Sequence, residues 1–173
     1  MEYVNSFNAI KSNKAYLVKV KNLHPDNDSM TFHIDSGASV TFLGIDSFCS
    51  PKKKDEYDLL YGIVEKEINR GGFEKYKTSA QTVTKEEIDA YPCKYDGVSV
   101  SGTKPITLYF CIYLGDIGIP LLGFDYIDDC SYQHGIGGDL IFTAVAEKPG
   151  KRFYPEKLID FNKVLKEFSE SKQ

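Results

Sequence analysis

The sequence predicts an all-β fold that ends in one amphipathic helix, on three observations. Apolar residues recur at every second position through most of the chain. Clusters of Asn, Asp, Gly and Pro cut these stretches into strand-length pieces. The last segment, behind Pro155, instead carries the three- and four-residue spacing of a helix face, in Leu158, Phe161, Leu165 and Phe168. The 173 residues, 42% of them hydrophobic, suffice for one core and contain no linker or repeat. The chain is read as a single domain over residues 1–173, with a core of about 15–146 and a helix of about 155–170.

Taken in order, Tyr16-Leu17-Val18-Lys19-Val20 alternates as a first strand, and Met30 to Ile34 is a second. The cluster His24-Pro25-Asp26-Asn27-Asp28 between them predicts a hairpin turn. Val40-Thr41-Phe42-Leu43 is a short third strand. From Cys49 the pattern blurs: a short helix fits Glu56 to Ile68, opposed by Gly62 and the β-branched residues. The polar stretch from Asn69 to Tyr91, opened by Arg70-Gly71-Gly72, reads as an exposed excursion from the core. Asp96-Gly97 predicts a tight turn before Val98-Ser99-Val100. The clearest strand runs from Ile106 to Leu114, with Ile106, Leu108, Phe110, Ile112 and Leu114 on one face and Thr107, Tyr109, Cys111 and Tyr113 on an amphipathic other. Leu140 to Val145 is a last strand, ended by Pro149-Gly150.

Composition removes several function classes. With 21 basic and 25 acidic residues the net charge is −4, and apart from Lys52-Lys53-Lys54 the basic residues are scattered, so nucleic acid is not an expected partner. No apolar run approaches the roughly 18 residues of a membrane-spanning helix, and the start MEYVNSFNAIKSNK lacks the apolar centre of a secretory signal; a soluble, cytoplasmic protein is expected. Cys49, Cys93, Cys111 and Cys130 form no C-x-x-C pair and stand near no histidine at ligand spacing, so free, buried thiols are expected and neither a metal nor a cofactor. His24, His33 and His134 are equally scattered, and His33 reads as a packed strand residue. No G-x-S-x-G occurs, and no cysteine has the setting of a nucleophile.

Chemistry concentrates in Phe32-His33-Ile34-Asp35-Ser36-Gly37-Ala38-Ser39-Val40. An acid at the end of an apolar strand, followed at once by Ser-Gly-Ala, sits in a tight loop where glycine permits close backbone approach. Placing a carboxylate there is costly unless it is used or paired. The same triplet also fits an Asx-type turn in which Asp35 only binds neighbouring amides. A second stretch, Ile119-Pro120-Leu121-Leu122-Gly123-Phe124-Asp125, places an apolar pair and a glycine 88 positions beyond Asp35.

Together and in this order, Asp35-Ser36-Gly37-Ala38 and Leu121-Leu122-Gly123 resemble the retropepsin-like aspartic protease family, single-domain relatives of pepsin. The resemblance spans Tyr16 to Val145 as architecture and about twenty residues as recognisable sequence. It implies a closed barrel of the acid protease fold, in which the Leu121-Leu122-Gly123 strand threads beside the catalytic loop. Asp35 would be catalytic, Ser36 would brace the opposite loop, Gly37 would let two loops approach, and Ala38 would support the catalytic loop. The chain has no second Asp-Ser-Gly or Asp-Thr-Gly, so it supplies half of a carboxylate dyad, and a homodimer acting on polypeptide is implied. The Asn69 to Tyr91 excursion stands where such enzymes carry a flap.

Three departures are evident. The retroviral enzymes pair an Arg after the later glycine with an Asp shortly after the triplet; here those positions hold Phe124 and Ser39. The spacing between motifs is also longer, and the terminal helix is extra. The alternative reading is a non-catalytic dimerisation or peptide-binding module of the same architecture.

Overall fold

A computed structural model of the chain describes residues 5–12, 15–24, 27–49, 53–81, 86–101, 103–135, 137–144 and 146–172. The fold is mostly β. Among the described residues it has strands β1 (Asn5–Ser12), β2 (Ala15–His24), β3 (Asn27–Ile34), β4 (Phe42–Gly44), β5 (Thr78–Gln81), β6 (Glu87–Val100), β7 (Ile106–Tyr113), β8 (Leu121–Leu122), β9 (Cys130–His134), β10 (Leu140–Ala144) and β11 (Ile159–Asp160). Three α-helices accompany them: α1 (Lys54–Gly71), α2 (Phe124–Ile127) and α3 (Phe161–Ser171).

The pairing order is β11-β6-β7-β4-β8-β3-β2-β1-β10-β9, with β5 on β6. A further short ladder, Val20 opposite Val100 and Lys21 opposite Ser99, joins β2 to β6 and returns the path on itself. The expected closed barrel is thus a ring of pairings linked partly by two-residue ladders, and not a clear barrel.

The strands follow the alternation. β2 pairs antiparallel with β3 from Tyr16 opposite Ile34 to His24 opposite Asn27, which is the expected hairpin; Pro25 and Asp26 of its turn lie outside the described residues. Along β7, Ile106, Leu108, Phe110 and Ile112 are buried in the main core, as the period-two pattern requires. Its second face is less amphipathic than expected, because Tyr109 and Cys111 are buried as well. Cys111 belongs to a smaller cluster with Phe42, Ile88 and Ala90, packed by Val40, Leu121 and Tyr154.

Three expectations need correction. Asp96-Gly97 is no hairpin turn: β6 continues through it, with the register against β7 slipping between Asp96 and Val98 and Gly97 at φ +85°. One extra residue in the left-handed region makes a bulge, which bends a strand without ending it. Asn162 braces the bulge from α3, accepting from the Asp96 N–H at 2.8 Å and donating to the Asp96 carbonyl at 3.1 Å.

The helix that fitted Glu56 to Ile68 is present but longer: α1 runs 18 residues, so the fold is mostly β and not all-β. Leu60, Ile63, Val64 and Ile68 form one buried face, Asp55 and Glu56 lie in the first turn, and the Gly72 N–H closes the helix on the Ile68 carbonyl. Gly62 lies on the exposed side, where it costs helix propensity but no packing. Lastly, the terminal helix begins at Phe161 and not near Pro155. The Asp160 carboxylate caps it by accepting from the Asn162 N–H at 3.1 Å, while Ile159 and Asp160 pair parallel with Cys93 and Lys94. Phe161, Val164, Leu165 and Phe168 are buried, and the Phe161 ring meets Phe48 at 5.0 Å and Phe110 at 5.4 Å.

The polar stretch expected as an excursion contains the end of α1, a turn at Phe73–Tyr76 and the β5–β6 hairpin, whose tip lies outside the described residues. β1, which the alternation did not announce, pairs with β10 and β2. Among the described residues no helix is long and apolar enough to cross a membrane.

Candidate active site

Asp35 directly follows β3 and opens a tight turn. The Ala38 N–H donates to the Asp35 carbonyl at 3.1 Å, and the Gly37 N–H to Asp35 Oδ1 at 2.9 Å. The second contact is the Asx-type bond that the triplet also predicted. Asp35 is half-buried, whereas Ser36 and Gly37 are exposed and Ala38 is half-buried, so the loop tip faces outward.

The loop is fixed from below by the second motif. β8 lies between β3 and β4: His33 and Ile34 pair parallel with Leu121 and Leu122, and Phe42 pairs antiparallel with Leu121. The Asp35 N–H donates to the Leu122 carbonyl at 2.9 Å, and the Phe124 N–H to the Ala38 carbonyl at 2.7 Å. Leu121, Leu122 and Gly123 are therefore brought together with the Asp35 loop across 88 residues of sequence. Gly123 is required by close approach. Its φ of −93° and ψ of −176° suit any residue, but a Cβ would lie 2.4 Å from the Val40 oxygen and 2.9 Å from the Ala38 oxygen.

Under this junction sits a polar cluster that the sequence reading did not single out. Thr41 Oγ1 accepts from the Gly123 N–H at 3.1 Å and donates to Asp125 Oδ1 at 2.8 Å. The Tyr126 N–H also donates to Oδ1, at 2.8 Å, and the Tyr154 hydroxyl to Oδ2, at 2.5 Å. Asp125 is 1% exposed. Burial pushes its carboxyl above the ordinary range, and the bonds from Tyr154, Thr41 and Tyr126 oppose that shift by favouring the anion. Asp125 belonged to the second motif, but nothing in the spacing marked Thr41 or Tyr154 as its partners.

The cysteines and histidines add no chemistry to this junction. The four cysteines are free thiols, two of them fully buried; burial pushes Cys111 and Cys130 up to about 12 and Cys49 up to about 11. Such thiols are protonated at neutral pH, opposite to what a cysteine nucleophile needs. No group of three or more His, Cys, Asp or Glu could hold a metal ion among the described residues. Phe124 and Ser39 have no charged side chain, so these positions carry no ion pair.

The chain's fold is similar to a solved retropepsin-like aspartic protease from Rickettsia conorii, with 16% sequence identity over 84% of this chain and 96% of that one, at a TM-score of 0.45. No family model and no curated protein matches the chain. The functional reading therefore rests on the geometry of the Asp35 loop.

Proposed function

We propose that the chain is an aspartic endopeptidase of the retropepsin type, one domain over its whole length, acting as a homodimer in which Asp35 of each copy contributes one carboxyl. The observation that carries this reading is the Asp35-Ser36-Gly37 turn, outward-facing yet tied at both ends to Leu122 and Phe124 by backbone hydrogen bonds. A carboxyl held so rigidly at an accessible tip suits work that needs fixed geometry.

The chemistry follows from charge. Two carboxyls brought within about 3 Å cannot both ionise, so the pair shares one proton and titrates as a unit. The ionised member takes a proton from water as its oxygen attacks the peptide carbonyl carbon, while the protonated member donates to the carbonyl oxygen. Collapse of the tetrahedral gem-diol breaks the C–N bond: the carboxyl that took the water proton passes it to the departing nitrogen, and the other takes a proton back from a gem-diol hydroxyl. One water is consumed, a carboxylic acid and an amine remain, and the dyad again holds one proton. Ser36 would brace the opposite loop, Gly37 would allow the approach and Ala38 would support the loop. The β5–β6 hairpin would cover bound peptide: Ile88 and Ala90 at its base share the small cluster with Val40 and Leu121 of the site. No metal or cofactor enters these steps.

The Asx-type bond from Gly37 to Asp35 favours one other reading, a dimerisation or peptide-binding module in which Asp35 is only a backbone acceptor. Sedimentation across protein concentrations, with and without a peptide analogue bearing a secondary alcohol in place of the scissile carbonyl, tests the proposal. Tetrahedral mimics bind a working dyad far more tightly than ordinary peptides do. A dimer that this analogue tightens supports it; a strict monomer at high concentration leaves Asp35 without a partner and refutes it.

A further inference from the structure

A segment far along the chain reaches back to the junction beneath Asp35. The Gly150 N–H donates to Asp129 Oδ2 at 2.6 Å, the Arg152 guanidinium pairs with both Asp128 and Asp129, and Tyr154 holds Asp125. The Tyr154 ring packs on Tyr109 at 5.6 Å, which fixes the direction of its hydroxyl. All three contacts fall on α2 or the two residues after it.

That helix has a single turn of four residues. One turn is too short to hold its own shape, because the entropy of fixing it exceeds what so few internal hydrogen bonds return. Yet α2 carries the Phe124 N–H that ties Ala38, and Asp125, through Thr41, holds the Gly123 N–H. The hydrogen bonds run without a break from Tyr154 to Asp125, to Thr41, to Gly123. Each group takes a consistent role, with the carboxylate accepting, the hydroxyls of Tyr154 and Thr41 donating to it, and Thr41 accepting from the amide.

We infer that residues 150–154 form a strap that positions the Asp35 loop through α2, with Tyr154 as its positioning residue. The kinetic part of this inference rests on the protease reading; the structural part does not. Tyr154→Phe keeps the ring and removes the hydroxyl. In the full-length Tyr154→Phe chain, hydrogen exchange at the Asp35, Gly123 and Phe124 amides is expected to quicken about tenfold or more, with Phe110 and Ile112 in β7 unchanged. On any peptide the native chain cleaves, kcat should fall about tenfold to a hundredfold while KM stays within about twofold.

Arg152 is exposed, so Arg152→Gln does not endanger folding; it should quicken exchange at the same three amides by a smaller factor. Unchanged exchange at those amides in both variants, or equal quickening across β7, would overturn the strap. So would a native kcat in Tyr154→Phe. If exchange responds as described but the native chain cleaves no peptide, the strap stands and the protease reading falls.

Discussion

Replacing Gly123 by Ala tests whether the apolar strand and the Asp35 loop are locked together as described. The added Cβ would stand 2.4 Å from the Val40 oxygen, 2.5 Å from the Val40 carbonyl carbon and 2.9 Å from the Ala38 oxygen. An ordinary carbon–oxygen contact is about 3.4 Å, so backbone must retreat by about 1 Å. No flexible side chain is there to yield. Overpacking of this kind costs about 1–3 kcal/mol. The retreat also strains the Phe124-to-Ala38 and Gly123-to-Thr41 bonds, each worth about 1 kcal/mol. Alanine at an allowed φ and ψ recovers about 0.4–1 kcal/mol from the unfolded chain, leaving a net loss of about 2–4 kcal/mol. Urea unfolding at fixed protein concentration should place the Gly123→Ala midpoint about 1–2 M below the native one, at an unchanged slope. Gly62→Ala is the matched control. Nothing lies within 4 Å of a Cβ there, and in the exposed face of α1 the change should stabilise by up to about 1 kcal/mol. Equal midpoints for Gly123→Ala and the native chain would refute the close approach.

Further outcomes follow from other residues. Asp46 is pushed to about 6 from 3.8, first by burial and then by the Asp116 carboxyl bonded to it, so the folded chain binds this proton more tightly than the unfolded one. Its contribution is full below about pH 4 and lost as pH rises through about 6. Asp46→Asn should flatten the stability profile across that window and be the more stable protein at pH 7, by on the order of 1 kcal/mol after solvent screening; parallel profiles would contradict this. Gly97→Ala meets open space but must hold φ +85°, so it should cost about 1 kcal/mol through backbone strain alone, and an unchanged unfolding midpoint would remove the bulge from the account.

How much of this was legible in the sequence depended on whether a signal was local. The alternation in β2, β3, β7 and β10 is carried by residues two apart, and each stood close to where it was read. β1 was invisible because its alternation reduces to Phe7 and Ala9, with the apolar Ile10 exposed. The extent of α1 was obscured by Gly62 and the β-branched residues, whose propensity is overridden by the packing of Leu60, Ile63, Val64 and Ile68. Asp96-Gly97 has one sequence signature for two structures, a turn and a bulge, and only the neighbour β7 decides between them. In the site, Asp35 and Leu121-Leu122-Gly123 stood out as motifs. Tyr154 did not, since its bond to Asp125 joins residues 29 apart through a side chain, which no spacing rule encodes.

The most direct test of the central claim is cleavage of a denatured protein mixture, read by mass spectrometry from pH 3 to 8, for the native chain and Asp35→Asn side by side. Asparagine keeps the shape and removes the acid. The account predicts peptide cuts by the native chain that are absent from Asp35→Asn while both remain folded dimers. Equal cutting by both, or silence from both in that state, would contradict it.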